Sequence, residues 1–119
     1  MANYRLFSSQ LRFIDEVVGM KTAYYVYEAK NKYVLMSFSS ATSGNFNIVD
    51  KGAVEQLLKL FSGKKSVTRK MVDEHPRMQK VLIGSFDALQ LLYVVAAMGQ
   101  ATIIRNKGRA LLFNIKKSR

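Results

Sequence analysis

Residues 92–115 read LYVVAAMGQATIIRNKGRALLFNI. An apolar helix that begins near Phe86 stops at Gly99, a residue type that readily takes the left-handed backbone of a helix C-terminus. Two β-rich runs follow, Ala101–Arg105 and Arg109–Ile115, separated by Asn106-Lys107-Gly108. They predict a hairpin with positive charge at its tip. Ser85 stands where a helix cap belongs, and Phe86, Leu89, Leu92 and Val95 recur on one face of the helix it would start.

Upstream of that stretch the helical signals continue. Asp50 is a cap for a helix with Val54, Leu57, Leu58 and Phe61 in one stripe and Gly63 at its end. Ser66 is a second cap, for a helix over 67–74 with Val67, Met71 and Val72 inward and Arg69 and Lys70 outward; Pro76 closes or restarts the run. Phe46 to Val49 suits a short strand. Strand, three helices and hairpin in that order, across Phe46–Ile115, resemble a winged helix-turn-helix domain. The resemblance is to a superfamily of DNA-binding folds, in which a glycine ends the third helix, a basic wing meets the phosphate backbone and an apolar strand closes the small sheet.

Ahead of this region, Ser8 and Ser9 can cap a first helix with Leu11, Ile14, Val17 and Val18 at helical spacing and Gly19 as its stop. Thr22–Ala29 and Tyr33–Phe38, rich in aromatic and β-branched residues, predict a hairpin about Lys30-Asn31-Lys32. Ser39–Asn45 is the one flexible polar stretch. The expected fold is therefore α+β: a winged helix-turn-helix with an N-terminal helix and β-hairpin extension. Residues 1–45 form the extension, for packing or dimerisation, and 46–119 the nucleic-acid-binding region, within one compact domain.

Charge points to the partner. The chain carries 19 Lys and Arg against 8 Asp and Glu, net +11 over 119 residues. Residues 1–50 hold five basic and four acidic side chains, whereas 51–119 hold fourteen and four. A field this asymmetric attracts polyanions. The candidate nucleic-acid contacts are Lys64, Lys65, Arg69, Lys70, Arg77, Gln79, Lys80, Arg105, Lys107 and Arg109, the last three belonging to the wing. One departure from the superfamily pattern stands out. Within Phe86–Met98 only Asp87 and Gln90 are polar, so that helix is poor at reading base edges. Either its first turn, Gly84–Gln90, makes a few contacts, or the presented element is Pro76–Ile83; the second is preferred because Pro76 at a first helical position turns Arg77, Gln79 and Lys80 outward.

Other chemistry finds little support. With no cysteine, disulfides, thiolate zinc sites and cysteine nucleophiles are excluded. His75 has no second His or Cys, and the scattered glycines form no phosphate loop. Glu28-Ala-Lys30 resembles half of the divided carboxylate-lysine motif of restriction-type nucleases, but the required Asp15 falls in an expected helix. Tyr24, Tyr25, Tyr27, Tyr33 and Phe38 suggest base stacking on an open sheet, with core packing or dimer burial favoured. No stretch reaches the ~18 apolar residues of a membrane span, and the first residues do not read as a secretory signal. The expectation is a cytoplasmic, non-enzymatic DNA-binding protein without cofactor or metal, acting as a homodimer in transcription regulation or as an accessory factor of a mobile element or phage. RNA binding and a protein-interaction role are the alternatives.

Overall fold

The computed structural model describes residues 11–19, 22–38, 43–81, 88–105 and 111–117. Among the described residues four strands come first: β1 (Arg12–Val18), β2 (Ala23–Glu28), β3 (Lys32–Phe38) and β4 (Gly44–Asp50), hydrogen-bonded in that order as one antiparallel sheet. Helices α1 (Lys51–Leu60), α2 (Arg69–Glu74), α3 (Pro76–Val81) and α4 (Ala88–Ala97) follow, and β5 (Ala101–Ile104) pairs with β6 (Leu112–Ile115) in a separate hairpin.

This order corrects the expected winged helix-turn-helix with an N-terminal helix. The segment expected to be the first helix is a strand, and the run after Phe46, assigned to a winged region, completes the N-terminal sheet by pairing with β3. The helical spacing of Ile14 and Val17 has a different cause. The β1–β2 register shifts between Phe13 and Asp15, so Ile14 is the extra residue of a β-bulge. Val17 and Ile14 can then both reach the core although they are three residues apart.

The core lies between the sheet and the helices. Val17, Val26, Tyr33, Leu35 and Val49 project from one sheet face, and α4 packs against β1, β2 and β3 on one side and α1, α2 and β5 on others. No residue from Ala88 to Met98 is exposed. The intramolecular arrangement thus uses the apolar residues of this helix, and with them Val26, Tyr33 and Leu35, as ordinary core. No described helix is long and apolar enough to cross a membrane.

Several local details differ from expectation. Asp50 occupies the N-cap position of α1, but its side chain makes no cap bond and instead pairs with Lys32. Thr68, not Ser66, caps α2 by accepting the Met71 N–H at 3.2 Å. Val67, expected within that helix, forms a bridge with Phe113, and Met71, expected inward, is exposed. The cap positions at Ser8, Ser9 and Ser85 lie outside the described residues.

One carboxylate ties the two layers together. Glu28 accepts from Lys51 Nζ at 2.7 Å, at the start of α1, and from Arg12 Nε at 3.0 Å on β1. These bonds, Lys51 first and Arg12 second, hold the Glu28 carboxyl below its usual range. The stabilisation is therefore complete above the unfolded value of about 4.3 and is lost as pH falls through the lower folded value. Glu28→Gln should lower the melting temperature by a few degrees at pH 7 and by progressively less below about pH 4, checked by thermal denaturation across that range; a gap that persists unchanged in acid would mean that the carboxylate charge is not the source.

Candidate nucleic-acid interface

The loop from α1 to α2 and the end of β6 are joined by main-chain bonds. Gly63 takes a left-handed φ of 73°, which turns the chain back as α1 ends. Its N–H donates to the Lys116 carbonyl at 3.2 Å, the Ile115 N–H donates to the Lys64 carbonyl at 2.8 Å, and Val67 and Phe113 exchange N–H···O bonds of 2.8 and 2.9 Å. Lys64 and Lys65 are thereby brought beside Lys116 and Lys117, far apart in sequence. All four side chains are exposed, and none pairs with a described carboxylate. The Lys64 ammonium lies 5.3 Å from the centre of the Phe61 ring, a cation–π contact that leaves its outward side to solvent.

Next to this rim, α2 and α3 are short and joined at His75. The His75 Nδ1 accepts the Arg77 N–H at 3.2 Å, and its ring meets Phe61 edge-on with centroids 5.5 Å apart. Pro76 opens α3, Met78 is fully buried as its anchor, and Arg77, Gln79 and Lys80 are exposed. Arg69 and Lys70 on α2 are exposed as well, Arg69 lying 3.7 Å from Asp73 one turn on. Such an exposed pair holds the guanidinium only weakly.

Lys80 also borders an open cleft of about 630 Å³ at the start of α1, with Lys32, Asp50, Lys51, Gly52 and Gln56. Two of its three lysines are committed internally, Lys32 to Asp50 and Lys51 to Glu28. The α4 helix has no exposed residue, and Gln90, a candidate for reading base edges, has its side-chain oxygen buried without a described partner. Asp87, Lys107 and Arg109 lie outside the described residues.

Asp15 and Glu28 do not meet as a metal pair. Asp15 lies in a strand opposite Val26, rather than in a helix, and Glu28 is occupied by two cations. Among the described residues no group of three or more His, Cys, Asp or Glu is placed to hold a metal ion.

Lys116 and Lys117 are members of the rim that the sequence did not single out. The signal was present only as basic charge after β6; its closeness to Lys64 depends on the Val67–Phe113 bridge, which the helix expected over 67–74 conceals. No protein-family model, no curated protein and no solved structure matches the chain.

Arg105 differs from the other candidates. Its guanidinium donates to the carbonyls of Gly19, at 3.2 Å, and Val18, fastening the end of β5 to β1. Arg105→Ala should therefore cost stability, about 1 kcal/mol for charge-assisted bonds at a partly exposed site, and leave the salt dependence of nucleic-acid binding unchanged. Denaturant titration and a salt-titrated binding curve on the same variant check both parts.

Proposed function

We propose that this chain binds nucleic acid, duplex DNA by preference, by holding the phosphate backbone on the rim formed by Lys64, Lys65, Lys116 and Lys117 and extended by the exposed basic side chains of α2 and α3. The observation that carries the reading is the rim itself: main-chain hydrogen bonds gather four exposed lysines, and no described carboxylate neutralises them. Gathering like charges is unfavourable for the free protein, and a polyanion relieves it.

The contacts favour phosphate over base edges. With α4 enclosed, the exposed basic helices beside the rim are α2 and α3, each only six residues long, the first carrying Arg69 and Lys70 and the second Arg77, Gln79 and Lys80. Phosphate contacts position a protein on a duplex, while base contacts specify sequence. An architectural or accessory role in the cytoplasm, in transcription or on a mobile element, fits this balance better than strict operator recognition.

Replacing Lys64, Lys65, Lys116 and Lys117 together by Ala should weaken binding to all duplex sequences alike and flatten the slope of log K against log salt by about 3 to 4 units, given roughly 0.9 per phosphate contact. The side chains are exposed, so the melting temperature should hold. Equilibrium binding to a short duplex, a single strand and a structured RNA between low and high salt is the test. Parent-like binding by the variant removes the rim from the interface, and tighter binding to RNA than to duplex transfers the proposal to RNA.

A further inference from the structure

The four-stranded sheet has two faces, and among the described residues only one is covered. Successive residues of a strand point to opposite sides, and the register places Phe13 of β1, Tyr27 of β2, Val34 of β3 and Ile48 of β4 in one row across the outer face. The next row holds Glu16, Tyr25, Met36 and Phe46. Seven large apolar side chains are exposed among the described residues, and five of them (Phe13, Val18, Phe38, Phe46 and Ile48, each 46–61% exposed) lie on this face. Val34, at its centre, is buried yet belongs to no part of the main core. The rings already pack on one another: Phe13 meets Tyr27 edge-on at 5.3 Å, and Tyr25 lies 6.1 Å from Phe38, which covers the bare backbone of Gly44.

We infer that this face is the interface of a homodimer, in which the sheets of two copies stack face to face. The charge distribution selects the occupant. Among the described residues the outer face bears Glu16 and, at one end, the mutually neutralised pair Lys32–Asp50. Bases that stack on aromatic side chains need lysines or arginines along the strand path for their phosphates, and an anionic membrane needs the same. The face has no unpaired described cation to offer either. For a second copy the same feature is favourable: two chains of +11 repel, and this is the side on which they can approach with least repulsion while their basic rims point away from each other.

The area also suffices. Four strands about 4.8 Å apart, each about seven residues at about 3.4 Å, give a footprint of roughly 450 Å² per subunit. Two such faces bury about 900 Å², and protruding rings raise this to the ~1,000–1,200 Å² at which specific but modest dimers begin. Sheets stacked in this way lie about 10 Å apart, with rings interdigitating.

The inference stands independently of nucleic-acid binding, and salt separates the two. Screening weakens a lysine–phosphate contact but strengthens the apolar association of two like-charged chains. In sedimentation equilibrium between low and high micromolar concentration, the chain should pass from one to two copies, and the transition should move to lower concentration as salt is raised. Phe46→Lys with Ile48→Lys, at positions exposed in the monomer, should remain a single copy with unchanged circular dichroism, while Met71→Lys, exposed elsewhere, should dimerise as the parent does. A parent mass of one chain throughout, a dimer indifferent to Phe46→Lys with Ile48→Lys, or a dimer that dissociates with salt would each overturn the interface. Should that double variant misfold, Phe13→Ser, which removes one ring from the same row, supplies the comparison: it should shift the transition to at least tenfold higher concentration, and an unshifted one overturns the interface equally.

Discussion

The α4 helix has no polar side, and the other elements are arranged to keep it dry. A helix that is apolar all round cannot rest against one neighbour, because the opposite side would stay in water. The inner sheet face therefore covers it from one direction, Leu57 of α1 and Val72 of α2 belong to the core built around it, and Phe113 and Ile115 of the hairpin belong to that core as well. Tyr93 joins two of these surfaces, stacked on Tyr24 of the sheet at 4.8 Å and tilted toward Phe113 at 6.1 Å. Fully burying a large apolar side chain contributes roughly 1.5–3 kcal/mol, and seven of the ten residues of α4 are buried, so this enclosure outweighs any single ion pair at the surface.

Enclosure of α4 also decides where function can reside. A helix without an exposed residue presents no edge to a groove, so a macromolecular partner meets the outer shell. That shell is divided. The loop before α2, the helices α2 and α3 and the end of β6 carry exposed cations, whereas the outer sheet face carries rings and methyl groups with almost no net charge. Hydrated phosphates and apolar surface are incompatible neighbours, and the division lets each side of the molecule meet a partner without desolvating the wrong groups.

The two hairpins were legible because each depends on local chemistry: β-rich runs broken by Lys30-Asn31-Lys32 and by Asn106-Lys107-Gly108. The α1 stripe and the start of α3 at Pro76 were legible for the same reason. β1 was not, because the bulge at Ile14 gives a strand the three-residue apolar spacing of a helix. Nor was the membership of β4, since which strand it pairs with is a long-range choice that no local pattern encodes. The basic character of the candidate site was readable from charge alone; the joining of Lys64 and Lys65 to Lys116 and Lys117 was not, because it is made by main-chain bonds across some fifty residues.

The same bonds explain why the rim has a definite shape. Between α1 and α2 the chain takes a left-handed backbone twice, at Gly63 and at Ser66, where φ is 56°. Such a conformation is unfavourable for a residue with a side chain and persists only where the surroundings over-determine it. Here they do: the Ser66 N–H donates to Asn114 Oδ1 at 2.9 Å, and Val67 is bonded in both directions to Phe113, which is fully buried against the core. Lys64 and Lys65 lie between the two turns, so their Cα positions are set by the backbone on both sides while their exposed side chains reach outward, that of Lys64 along the Phe61 ring. An array of exposed lysines fixed at its base, on long side chains with several rotatable bonds, suits phosphates, whose positions along a nucleic acid vary with sequence and bending, better than the fixed geometry that base edges require.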